Sequence, residues 1–553
     1  MSPMPSASTL LRTAAAFCLA AAMFPAHALE CHVRNSPLSP ADLAMSHGNY
    51  ARAESLYADE LRAGQSANPP SPDADRLHAA LIRAQLRQSK LADAEKDALA
   101  WSTAQPKNPW ALVALGEVQW REGRPDDAIQ TLNRARAADV CNAQAHADSA
   151  NIYRMAGLYA SANRELTIAR KLDPVDPQIE FAWLRLQPPA TRQAEITTLL
   201  SNATNLSANQ TNALAREKQR LFDPPPSGCH LATSTTSTSI PFRAIQDGPE
   251  SRTYWGLDVS FNGKTRRLEI DTGASGLILT KSAANALHLE PERTFKIGGV
   301  GDEGAVDSFI ARVKSIKIGG LEFQDCDVQV LGATHQEMAA QDGLIGGDVF
   351  SHFLLTLDFP GRTLKLDPLP QRPGDTAATA APSLDTGTAT IYQEPQDAYR
   401  DPSMQDWDRV WRSGHDLIIN VGLNAPSPRR LFILDTGSAL DLISPDAAKE
   451  VGKVSKGSWV NIVGLSGKVD KTWTTGPLKL YFSRFIAPNQ GMISIDTTRL
   501  APSSGVEISG LVGAPTLHQL TFSIDYRDNL VHFTYDPKRI SHCVDSVKIA
   551  DCY

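Results

Sequence analysis

Two phrases decide the fold of this chain: Leu268-Glu269-Ile270-Asp271-Thr272-Gly273-Ala274-Ser275-Gly276 and, well downstream, Phe432-Ile433-Leu434-Asp435-Thr436-Gly437-Ser438-Ala439. In each, an apolar run with strand character ends in an acidic residue followed by turn formers. Each is followed at nearly the same distance by two apolar residues and a glycine. The glycine pairs lie in Leu344-Ile345-Gly346-Gly347 and Leu511-Val512-Gly513-Ala514, so that Gly346 stands almost as far beyond Asp271 as Gly513 beyond Asp435. Strand pairs of like design come next: Leu355 to Phe359 with Leu364 to Leu366, and Thr521 to Asp525 with Leu530 to Phe533. One unit of about 130 residues, an ordinary domain in size, therefore occurs twice.

The rest of the 553 residues bounds what surrounds this duplication. With 42% hydrophobic and 21% charged residues the chain is globular and long enough for several domains. Its 54 basic and 61 acidic residues give a net charge of −7, and there is no long basic run. Nucleic acid and anionic membrane are therefore not expected as partners. Arg12, the apolar run Ala14 to Phe24, and Ala26-His27-Ala28 have the order of a secretory signal peptide, predicting cleavage after Ala28. Export to a periplasm or the exterior follows, with no membrane span in the mature chain. Of seven cysteines, removal of Cys18 leaves Cys31, Cys141, Cys229, Cys326, Cys543 and Cys552. Six permit 15 pairings and the sequence selects none. Cys543 and Cys552 are close enough to close a short loop in an oxidising compartment. No Cys-x-x-Cys pair is present, and neither a metal nor an organic cofactor is expected.

A second periodicity lies upstream. Gly123-Arg-Pro-Asp-Asp-Ala128 recurs as Gly157-Leu-Tyr-Ala-Ser-Ala162. Ser89 to Ala94 precedes it by the same interval, and Gly48 to Ala53 stands a little farther upstream again, the extra length matching the insert around Pro69-Pro70-Ser71-Pro72. The period, its members and their small residues resemble tetratricopeptide repeats, implying an all-α array over 38–202. Leu112 with Leu115, and Ala128-Ile129 with Leu132, have the spacing of a buried helix face. Such pairs stack to share a core and leave a concave groove. Two uses of the groove stay open: docking of a peptide or protein partner, or a stabilising cap for the remaining chain. His78 and His146 are read as packed or solvated side chains. Residues 203–238, with Pro224-Pro225-Pro226 and a Thr/Ser run from Thr233, read as a linker. Asn202-Ala-Thr204 and Asn205-Leu-Ser207 fit the glycosylation acceptor pattern, which matters only in a eukaryotic secretory pathway.

The duplicated unit resembles aspartic peptidases of the retropepsin-like family. The resemblance implies an all-β bilobal pair with halves at 239–370 and 406–538, a linker at 371–405 and a tail at 539–553. Carried over residue by residue, it makes Asp271 and Asp435 the catalytic carboxyls. Thr272 and Thr436 would lock the two loops together, Gly273 and Gly437 would let backbone approach the carboxyls, and Gly346 and Gly513 would be the structural glycines. The reaction implied is hydrolysis of a peptide or protein substrate. Two carboxyls about 3 Å apart cannot both ionise cheaply, so one serves as base and the other as acid, and they titrate as a pair. One chain supplies both, predicting a monomer with an internal pseudo-twofold.

The halves differ after the acidic loop, where Ser438 stands against Ala274. By analogy with the family, the Ser438 hydroxyl would donate to Asp435 and make it the more readily ionised, leaving the proton on Asp271. Gly298 to Gly304 and Val463 to Gly467 are the flap candidates, the latter flanked by Trp459 and Trp473. Asp385-Thr386-Gly387 lacks a preceding strand and reads as an inert turn. Gly299 to Gly304 has the letters of a dinucleotide loop without a following helix, and Gly346-Gly347-Asp348 lacks the lysine of a phosphate loop. The competing readings are an inert β-cleft used with the repeat groove as a peptide-binding scaffold, and halves that each pair with another chain.

Overall fold

In the computed structural model of the protein, the described residues are 31–69, 71–222, 229–246, 253–332, 342–375, 384–386, 396–458, 461–498, 500 and 505–539. The signal segment, the Cys543/Cys552 loop, Trp459, the triple proline and Gly387 lie outside them. From Val33 onward the chain is one compact unit.

The first third is helical. The helices are α1 (Pro40–Ser46), α2 (Tyr50–Ser66), α3 (Ala74–Arg87), α4 (Leu91–Ala104), α5 (Pro109–Arg121), α6 (Pro125–Ala138), α7 (Ala143–Met155), α8 (Tyr159–Leu172), α9 (Pro177–Leu184), α10 (Pro189–Ser201) and α11 (Ala208–Phe222). Local chemistry sets their starts. Asn108, Asn142 and Asp176 cap α5, α7 and α9 by accepting from backbone N–H groups of the first turn, and proline opens α5, α6 and α9. The glycine of the recurring phrase, at φ 78° in Gly48, 73° in Gly123 and 74° in Gly157, turns the chain out of one helix and into the next. The closing alanine of each phrase, Ala53, Ala94, Ala128 and Ala162, is wholly buried where paired helices touch. Among the described residues no helix is long and apolar enough to cross a membrane.

Helix α11 falls where a linker was expected. Ser207 and Gln210 cap it reciprocally, Gln210 Oε1 accepting from Ser207 N–H and Ser207 Oγ from Gln210 N–H. Its Leu214 and Leu221 pack with Trp183 and Ile196, closing the last apolar face of the array. The end of the same stretch, Thr238–Pro241, is a strand.

The remainder is β. Among the described residues two large sheets, of nine and ten strands, carry the halves, and a six-stranded sheet joins them. That central sheet pairs Phe353–Asp358 antiparallel with Thr521–Asp525, Leu355 opposite Ile524 and Leu357 opposite Phe522. These are the corresponding strands of the two units, so the pseudo-twofold passes between them. All four apolar residues are fully buried, in one core continuous across both lobes. In each half the strand bearing the acidic loop runs parallel to the glycine strand, with Asp271 opposite Gly346 and Leu434 opposite Val512. The repeated spacing from acid to glycine is thus a register.

The helical array is seated on the second lobe. Trp120, Ile152 and Met155 share a core with Trp411, Ile418, Leu431, Ile433 and Ile508. Glu507 N–H donates to Arg121 O (3.0 Å) and Arg409 Nη1 to Ala156 O (3.3 Å). Cys229 and Cys326 form a disulfide that fastens the chain entering the first lobe to the strand Leu321–Leu331, and Cys141 is also disulfide-bonded.

Candidate active site

Asp271 ends the strand Lys264–Asp271, and Asp435 directly follows Arg429–Leu434. Both loops emerge from buried strands and meet tip to tip. Thr272 Oγ1 donates to Leu434 O (2.8 Å) and accepts from Thr436 N–H (3.0 Å). Thr436 Oγ1 donates to Ile270 O (2.9 Å) and accepts from Thr272 N–H (3.0 Å). Both threonines are buried, so four bonds made in low dielectric fix the relative position of the loops. Glycine is required at the next position: a Cβ on Gly273 would lie 2.7 Å from Asp435 Cγ, and one on Gly437 would strike the Asp271 carboxyl.

The carboxyls are brought into hydrogen-bonding contact with one another. Asp271 Oδ1 accepts from Gly273 N–H (2.8 Å), and Asp435 Oδ1 from Gly437 N–H (3.1 Å) and Ser438 N–H (2.9 Å). Burial raises both above the usual carboxylate range, and the adjacent Asp271 charge carries Asp435 well above it. The two acids titrate as a coupled pair, and the Ser438 hydroxyl does not donate to Asp435 as expected. The reason is local: Ser438 Oγ donates to Leu440 O (2.8 Å) and leaves Asp435 only its backbone N–H. On the other side, His415 lies close enough to favour the Asp271 carboxylate electrostatically.

Gly346 and Gly513 sit where the acidic loops cross their neighbouring strand, with Ala274 O against Gly346 and Leu440 O against Gly513. Two further acids, not anticipated from the sequence, hold these crossings. Asp348 accepts from Gly276 N–H (2.9 Å) and Ser275 Oγ (2.8 Å). Asp441 accepts from Gly513 N–H (2.7 Å), Thr516 Oγ1 (2.8 Å) and Asn489 Nδ2 (2.8 Å), and burial pushes it up to about 6. An acid inside an apolar stretch was the available signal. Asp385 and Thr386, expected in a passive linker, lie against the first lobe: Asp385 N–H donates to Val349 O (3.1 Å), and Thr386 O accepts from Leu277 N–H (3.3 Å).

Both flap candidates are hairpin tips, and they interlock. Residues 298–305 join Arg293–Ile297 to Val306–Ile318, and Val463–Gly464 pairs with Gly467–Lys468. Gly299 N–H donates to Ser466 Oγ (2.9 Å), Ser466 N–H to Val300 O (2.9 Å) and Glu303 N–H to Ser466 O (2.8 Å). Leu465 and Ala274, the residue after Gly273, pack against one buried cluster of Ile278, Leu331 and Leu344, so the second lobe's hairpin is seated on the core beneath the first lobe's acidic loop. Trp473 lies in a strand paired with Val454–Lys456 and Ile493–Ser494.

No curated protein matches the chain. Among solved structures, the aspartic proteinase from Irpex lacteus is similar at 12% identity and a TM-score of 0.31, covering 55% of this chain and 99% of that one. Residues 40–109 and 113–177 match the tetratricopeptide repeat, and residues 257–349, which carry Asp271 and its glycine strand, match the aspartyl protease family.

Proposed function

We propose that the protein is an exported aspartic endopeptidase in which Asp271 and Asp435 activate water against a peptide bond. The observation that carries this reading is the reciprocal Thr272/Thr436 brace, which sets one carboxyl from each lobe in contact with the other. With Asp271 ionised and Asp435 protonated, Asp271 removes a proton from water as the water oxygen bonds to the substrate carbonyl carbon. Asp435 meanwhile gives its proton to the carbonyl oxygen. The tetrahedral diol then collapses: the C–N bond breaks, the amine leaves with a proton from the dyad, and a new carboxyl group remains. The interlocked hairpins open to admit substrate and close to exclude water.

The repeat array acts on this reading as a brace for the second lobe, because its α5 and α7 turns are bonded to that lobe, and its concave face is the surface for a protein substrate or partner. The Cys229–Cys326 disulfide suits an oxidising compartment and so supports export. The test is cleavage of a denatured protein mixture by the purified chain at mildly acid pH. Cleavage should be blocked by a pepstatin-like inhibitor and abolished in both Asp271→Asn and Asp435→Asn. Peptide binding without cleavage would favour an inert cleft. Activity rising faster than linearly with protein concentration would favour halves completed by a second chain.

A further inference from the structure

We propose that His415 is a positioning residue of the dyad, reaching from the second lobe to grip the first lobe's acidic loop and, when protonated, to hold Asp271 as its carboxylate. The inference rests on the reading of Asp271 and Asp435 as the catalytic pair. His415 lies in the hairpin between Trp411–Ser413 and Asp416–Leu423, where Ser413 faces Asp416 and Gly414 makes the turn at φ 67°. Its Nε2 is 3.1 Å from Gly273 O and 3.3 Å from Asp416 Oδ1. A carbonyl oxygen only accepts, so Nε2 carries a hydrogen in either charge state, and protonation adds a charge without costing the grip on Gly273. Gly273 is the residue whose backbone lies against the Asp435 carboxyl. The imidazole therefore bears on both acids, through the backbone of one loop and through space.

The hairpin that carries His415 is itself fixed. Arg412 Nη1 donates to Tyr526 O (2.8 Å) and Nη2 to Gly414 O (3.0 Å), with the guanidinium 5.3 Å from the centre of the Tyr526 ring. Tyr526 is wholly buried, with its hydroxyl against Gly347, the residue after the first lobe's glycine strand. The charged and titratable groups facing this corner are Asp416 on the hairpin, Asp271 on the first acidic loop, Asp348 behind the glycine strand, and Arg412 and Tyr526 beneath, with Asp435 facing Asp271. Three carboxyls thus look toward one imidazole whose side chain is 31% exposed. A histidine also meets the second loop: His518 bonds the backbone of Thr436, but burial pushes it down to about 4, so it adds no charge above that pH. The two loops are therefore served unequally, and the inequality favours ionised Asp271.

The experiment compares pH profiles of kcat/KM for the full chain and for His415→Gln and His415→Lys, with thermal melts as a folding control. The acidic limb reports ionisation of the free enzyme's base. Glutamine can still donate to Gly273 O but carries no charge, so the limb should move to higher pH by roughly one unit, about a tenfold loss at its foot. Lysine restores a cation, and its limb should return to or fall below that of the parent. Superimposable acidic limbs for the parent and both variants would overturn the inference, as would equal shifts in both variants. If glutamine prevents folding, His415→Asn takes its place as the uncharged donor and is judged by the same two outcomes against lysine. Failure of the dyad reading would appear separately, as activity surviving in Asp271→Asn or Asp435→Asn.

Discussion

Asp348 and Asp441 stand at non-equivalent positions of the duplicated unit and perform the same task from opposite ends. Asp348 follows the first glycine strand and accepts from the acidic loop at Gly276, whereas Asp441 follows the second acidic loop and accepts from the glycine strand at Gly513. Both are buried, so each trades desolvation for bonds that hold a loop to its strand. Duplication preserved the need for a carboxylate at the crossing without preserving its place in the chain.

The position of Asp441 has a pH signature. Its folded value of about 6 lies above the 3.8 of an exposed aspartate. Between those values the native state holds a proton that the unfolded state releases, so this group favours folding below pH 3.8 and loses that contribution as pH rises to about 6. The span corresponds to roughly 3 kcal/mol. Asp441→Asn removes the titration and leaves one donor facing another. The variant should be less stable than the parent at pH 4, with the gap narrowing as pH rises to 7. Calorimetric melts at four pH values give the difference curve, and a difference independent of pH refutes the assignment.

The threonine brace makes a separate prediction. Thr272→Val keeps shape and burial but loses a donor to Leu434 O and the acceptor of Thr436 N–H. Two unsatisfied buried groups should cost about 2–4 kcal/mol. Thr272→Ser restores both bonds and should recover most of that stability in urea titrations and most of the activity. A valine variant as stable and active as the serine one would show that the brace does not position the dyad.

The acidic loops were legible because the sequence states them twice, each with its partner glycine at nearly the same distance; in the structure that distance is the register of Asp271 on Gly346. The repeats were legible through small residues at fixed spacing, which burial of Ala128 and Ala162 explains. What escaped was tertiary or locally ambiguous. Helix α11 hides beside a proline- and threonine-rich stretch, and only the Ser207/Gln210 pair marked its start. The Ser438 hydroxyl had two acceptors within reach, and sequence could not choose Leu440 O over Asp435. His415 belongs to a hairpin far along the chain from the loop it touches, with no counterpart motif to point to it.

The seat of the array on the second lobe depends on Gly157. It lies at φ 74°, and a Cβ there would lie 2.6 Å from Asn529 Nδ2. Gly157→Ala therefore combines backbone strain of about 1 kcal/mol with displacement of a buried contact. Unfolding followed by tryptophan fluorescence should begin at lower temperature and separate into two transitions, helical array and β-lobes. A single transition at the parent temperature would mean that this turn does not couple them.

The hairpin tips give a prediction that needs no substrate. Ser466 holds the first lobe's tip at three points: its Oγ accepts from Gly299 N–H, its N–H donates to Val300 O, and its carbonyl accepts from Glu303 N–H. Amide hydrogen exchange should therefore find Gly299, Glu303 and Ser466 protected together, since all three open only when the tips part. Ser466→Ala deletes one bond and leaves two. Loss of a bond worth about 1 kcal/mol should speed exchange at all three amides by about fivefold if the tips open as a unit. Acceleration confined to Gly299 would mean that the hairpins move independently. Because Leu465 shares a buried cluster with Ala274, the residue after Gly273, the same opening should loosen the cover of the first lobe's acidic loop, and the exchange rate would then set an upper limit on substrate entry.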